Sequence, residues 1–185
     1  MTDDRTRHYL KSRYREKVVE HIFVGELLRH LWANGLDGVE ILTPEVDASG
    51  YDIVLTLGQI VRHVQIKCSV EGGKTEDQQV NASLGLQPSG CIVWIIVDNQ
   101  SLSFRRFLWF GAEPGRALPE LNHFRNAKHT RANAQGVKGF RMNTKIITKS
   151  KFTVLPDMAS LVKALFGDRA RSNQPLPGDT TSGCG

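Results

Sequence analysis

Residues 51–69 read YDIVLTLGQIVRHVQIKCS, and this stretch decides the fold. Two apolar arms flank Leu57-Gly58-Gln59, the signature of a tight hairpin turn. In the first arm Ile53, Leu55 and Leu57 share one face, and Asp52, Val54 and Thr56 the other. In the second arm Val64, Ile66 and Cys68 alternate with Gln65 and Lys67. Pairing across the turn brings Asp52 toward Gln65 and Lys67. A carboxylate and an amide oxygen suit a hard cation such as magnesium, which takes oxygen ligands and keeps several waters. A lysine beside that cation can act on an attacking water or on charge building at a phosphate. The same residue types are common on the solvent face of a hairpin, and the hairpin alone favours that plainer reading.

Outward from the hairpin, residues 13–33 have helical spacing. Val18, Val19, Ile22, Phe23, Val24, Leu27, Leu28, Leu31 and Trp32 spread around most of the wheel, which predicts a largely buried helix closed by Asn34-Gly35. Glu26 falls on a stripe of core-facing residues, where a carboxylate must be paired or bound to a cation; Glu20 falls nearer Leu27 and Leu31 and is the weaker candidate. Residues 39–42 (VEIL) predict a short strand. Residues 71–90 are polar, with room for a short helix, and residues 91–98 (CIVWIIVD) form the apolar run of a central strand covered on both faces. Residues 102–111 predict a strand nearer an edge, because of Arg105 and Arg106. Residues 145–155 predict one or two more strands. Asp157 then caps a helix carrying Met158, Leu161, Val162, Leu165 and Phe166, stopped by Gly167.

Charge is unevenly placed along the 185 residues, whose net charge is +5. No acidic residue occurs between Glu120 and Asp157, whereas Arg125, Lys128, Arg131, Lys138, Arg141, Lys145, Lys149 and Lys151 all do. Such a stretch can follow a phosphate backbone, although many basic runs are only solvated loops.

Glu26 on the first helix, Asp52 opening one strand and Gln65-Ile66-Lys67 on the next resemble the PD-(D/E)XK nuclease superfamily, in a Gln-x-Lys variant. That group includes many restriction endonucleases and archaeal Holliday-junction resolvases. The resemblance covers residues 13–98, about half the chain. It implies an α/β fold of restriction-endonuclease-like type, a mixed β-sheet flanked by helices in αβββαβ order. It also implies that Asp52, Gln65, the carbonyl of Ile66 and Glu26 hold magnesium or manganese while Lys67 acts on the nucleophilic water. Tyr51 stands where the family's literal motif has proline, and Gln65 stands where it has an acid. The amide keeps an oxygen but removes one negative charge, which weakens the attraction for a cation.

The expected function is therefore metal-dependent endonucleolytic hydrolysis of phosphodiester bonds, in DNA first. Lys74, Arg125, Lys128, Arg131, Lys138, Arg141 and Lys145 are expected to contact the backbone. The alternative is a catalytically weak or inactive protein of the same fold that binds nucleic acid or assembles with a partner. A homodimer is compatible with either.

Other signals carry less. EGGKT at residues 71–75 resembles the end of a phosphate-binding loop, but Cys68 stands where the first glycine belongs. The six histidines lack metal-ligand spacing, and the three cysteines neither pair nor cluster, which suits a reducing, cytoplasmic setting. Phe104, Phe107, Trp109 and Phe110 are expected to pack in the sheet. No apolar run is long enough to span a bilayer, and the polar start of the chain lacks a signal-peptide core. Residues 1–168 are expected to form one domain, and residues 169–185, rich in Pro, Gly and Ser, a disordered tail.

Overall fold

The computed structural model describes residues 3–46, 49–129 and 139–168, with side chains from residue 11 onward. The expected tail, and Arg131 and Lys138 of the basic segment, lie outside the described residues. A first helix, α1 (Asp3–Ala33), precedes β1 (Val39–Leu42), β2 (Ile53–Leu57) and β3 (Ile60–Val70). Then come β4 (Asp77–Asn81), a 3-10 turn (Ala82–Leu86), β5 (Gly90–Val97) and β6 (Phe104–Gly111). The chain continues through β7 (Asn126–Lys128), β8 (Phe140–Thr148), β9 (Thr153–Leu155) and α2 (Met158–Phe166).

β2 and β3 pair antiparallel from Ile53↔Val64 to Leu57↔Ile60, so the hairpin closes through Gly58 and Gln59. Gly58 takes φ +58° at the first central position, where this turn requires a positive φ. The main sheet has six strands in the order β1-β2-β3-β5-β6-β9, and β4-β8-β7 form a second sheet. β3 and β5 run parallel while their other neighbours are antiparallel, which makes the main sheet mixed.

Two apolar layers share β5. Cys91, Val93, Ile95 and Val97 join α1 and α2 in one cluster. Ile92, Trp94 and Ile96 join Val80 of β4, Ile147 of β8 and the loop residues Leu118 and Leu121 in the other. All eight residues of β5 are buried, which is why its sequence shows no alternation. Trp94 satisfies its indole N–H on Ser69 Oγ of β3 at 3.0 Å.

α1 departs from the expectation of burial all round. Val19, Phe23, Leu27 and Leu31, four residues apart, form its buried stripe, while Leu28 and Trp32 are 41% and 77% exposed. The helix lies on the sheet by one face only. The helix expected between β3 and β5 is also reduced to the 3-10 turn, because β4 leaves the main sheet to pair with β8.

α2 is held at both ends. Asp157 accepts from Ser160 N at 2.8 Å at its start. At its end the fully buried Arg62 donates to the carbonyls of Ala164 and Leu165, each at 2.8 Å. The same guanidinium reaches Ser89 Oγ, Ala112 O and Glu113 O, and lies 5.3 Å from the Trp109 ring centroid. A cation at a helix C-terminus meets carbonyls that have no partner within the helix.

Candidate functional site

The cleft is made where the hairpin stops. β2 begins only at Ile53, opposite Val64, but β3 runs on to Val70 with β5 on its other side only. Ile66 therefore turns its N–H toward an edge with no strand, and Asp52 Oδ2 accepts it at 2.6 Å. Within a strand the N–H and C=O of one residue point the same way. The Ile66 carbonyl thus faces the same notch. Gly50, at φ +79°, feeds the chain into Asp52 so close to β4 that a Cβ there would meet the Asn81 Cβ at 2.7 Å.

Asp52, Ile66, Lys67 and Cys68 form one wall of a cavity of about 690 Å³. Arg13, Glu16, Lys17 and Glu20 of α1 form the second wall, and Asp77, Gln78 and Gln79 of β4 the third. Glu20 is only 16% exposed and pairs with Lys17 at 2.7 Å. Burial pushes the Cys68 thiol up to about 11, and its side chain packs against the core behind this wall.

Of the residues singled out in the sequence, Asp52, Ile66 and Lys67 share this cavity. Gln65 stands beside them, 7% exposed, with its Oε1 buried and unpartnered, and is not among the lining residues. Glu26 is elsewhere. It pairs with Arg29 and lines a separate cavity with Phe104, Arg105, Asp157 and Met158. Six residues of helix displace it from Glu20 by roughly 9 Å along the axis and about a third of a turn around it. The α1 carboxylates that reach the cleft are Glu16 and Glu20.

Among the described residues no three His, Cys, Asp or Glu side chains come together as metal ligands. Asp52 is engaged by Ile66 N–H, and Glu20 by Lys17.

The cationic surface joins the cleft through β4. Arg125 bridges to Asp77 at 3.0 Å, and Arg141 donates to Gln79 Oε1 at 3.5 Å. Lys145 faces Val80 across the β4-β8 pair, and Lys128 lies on β7 opposite Phe140. Lys74 is exposed in the turn after β3, beyond the lining of the cavity. No described helix is long and apolar enough to cross a membrane.

No family model matches the chain, and neither does any curated protein. Among solved structures it is similar to Archaeoglobus fulgidus Hjc, a Holliday junction resolvase from an archaeal hyperthermophile. That likeness has 13% identity and a TM-score of 0.37, over 74% of this chain and 97% of the other. It is also similar to a bacterial homing endonuclease at 17% identity and a TM-score of 0.32, over 56% of this chain and 64% of that one. By its own topology the fold is α/β, a mixed six-stranded sheet with both helices on one face and the β4-β8-β7 sheet on the other.

Proposed function

We propose that this chain binds nucleic acid, DNA first, on a nuclease-like scaffold whose hydrolytic centre is weak or silent. One observation carries the reading: β4 belongs at once to the cleft and to the basic sheet. Its Asp77 and Gln79 line the cavity and also receive Arg125 and Arg141 from the cationic segment. A strand of nucleic acid laid on Lys128, Arg141 and Lys145 is thereby led toward Lys67 and Lys17. Phosphate contacts of this kind give affinity and position without reading sequence.

The test is equilibrium binding of labelled DNA and RNA across a salt series. Affinity should fall steeply with salt, and Arg141→Ala with Lys145→Ala should weaken binding to every sequence alike and reduce the slope by about one per lost contact. Binding that ignores salt, or survives both changes unaltered, overturns the reading.

A second reading, slow cleavage with magnesium or manganese, is favoured by the shared cavity of Asp52 and Lys67. Its test is plasmid nicking with either metal, abolished in Asp52→Ala and in Lys67→Ala. Equal nicking by wild type and both variants would sink it.

A further inference from the structure

We infer that the β7-β8 ribbon is a stacking platform for an unpaired base, so that the nucleic acid taken by this chain is single-stranded or carries an unpaired stretch beside the cleft. The inference rests on the nucleic-acid reading above and names its substrate class. Phe140 and Met142 lie two positions apart on β8, 56% and 70% exposed. Lys128, the register partner of Phe140, holds its ammonium 5.9 Å from that ring's centroid. The next residue, Arg141, reaches back to Gln79 on the cleft wall.

Large apolar side chains placed so openly have no role in the core. Charge selects the partner: the segment from residue 121 to 156 contains no acidic side chain, and the acids that meet it from the β4 side, Asp77 and Glu76, are paired with Arg125 and Lys149. An anionic chain is the complementary occupant. Bases inside a duplex already stack on one another and offer no face. An unpaired base does, and an aromatic ring beside a phosphate-binding cation receives it whatever its identity. Lys128, on the same face of the ribbon as Phe140, would hold a flanking phosphate while the base covers that ring.

The experiment compares a single strand, a flapped duplex and a blunt duplex of equal length, each with 2-aminopurine replacing an adenine. Wild type should prefer the single strand and the flap, with 2-aminopurine emission quenched on binding. Phe140→Ala combined with Met142→Ala should weaken those two by about tenfold, the size of one lost base–aromatic stack, and leave the duplex unchanged. Phe140→Tyr should retain both affinity and quenching, which separates a lost platform from a disturbed ribbon. Equal affinity of wild type for all three nucleic acids, or unchanged single-strand binding by the double variant, overturns the inference while leaving the nucleic-acid reading in place. Failure of wild type to bind any of them overturns both.

Discussion

The Asp52 carboxylate sits 2.6 Å from the amide nitrogen of Ile66, at the point where β3 outruns its partner strand. A single side chain here does the work of a missing strand residue. It satisfies a backbone donor at the sheet edge and directs the chain so that Lys67 enters the cleft.

Removing that acceptor exposes the cost. Asp52→Ala should destabilise the protein by about 1–3 kcal/mol, the usual penalty for an unsatisfied, partly buried donor. Asp52→Asn keeps an oxygen acceptor and should cost less. Urea unfolding of the three proteins measures the order; equal midpoints would show that the bond contributes nothing.

Two acidic positions of α1, Glu20 and Glu26, should behave differently. Glu20 lines the cleft and Glu26 lines another cavity. Glu20→Gln should alter whatever manganese affinity calorimetry detects, and Glu26→Gln should leave it unchanged. An effect confined to Glu26→Gln would contradict the placement of α1.

Arg62 joins α2 to the sheet through five acceptors, all buried or partly so. Burial lowers its pKa, yet a guanidinium starts so far above neutral that it stays charged. Arg62→Leu should cost about 3 kcal/mol or more, since several carbonyls lose their donor together. Arg62→Lys should restore little of that, because an ammonium cannot present a planar fork. Thermal unfolding reads both.

Asp98 provides the pH signature. Hydrogen bonds from Ser101 N, and next from Arg105 and Gln100 N, hold its carboxyl well below the usual carboxylate range. The unfolded chain therefore binds the proton more readily, so this group stabilises the fold above its ordinary value of 3.8 and loses that effect as pH falls toward the folded value. Asp98→Asn should be less stable than wild type near neutrality, with the gap closing below about pH 4. A gap that persists unchanged into acid would remove Asp98 from the account.

Much of this architecture was legible in order. The hairpin, the all-apolar β5 and the Asp157 cap each rest on contacts within a few residues or on one strong pattern. α1 misled because its apolar residues run round most of the wheel, while only the i, i+4 stripe from Val19 to Leu31 meets the sheet. Choosing Glu26 over Glu20 needed the position of the cleft along the helix axis, which periodicity does not contain. β4 was hidden for a related reason: DQQVN is polar, and only its pairing with β8, nearly seventy positions on, makes it a strand. Arg62 gave no signal either. On the sequence it is one more cation in a strand, and its five acceptors come from three distant segments.

The two faces of the main sheet give the molecule two buried optical reporters, one on β5 and one on β6. Trp94 is embedded on the side that carries the basic ribbon, and Trp109 on the side of the helices. Variants without Trp32 that retain Trp94 or Trp109 alone would let emission follow each half of the interior separately, so that loosening on the ribbon side becomes visible while the helical side stays intact.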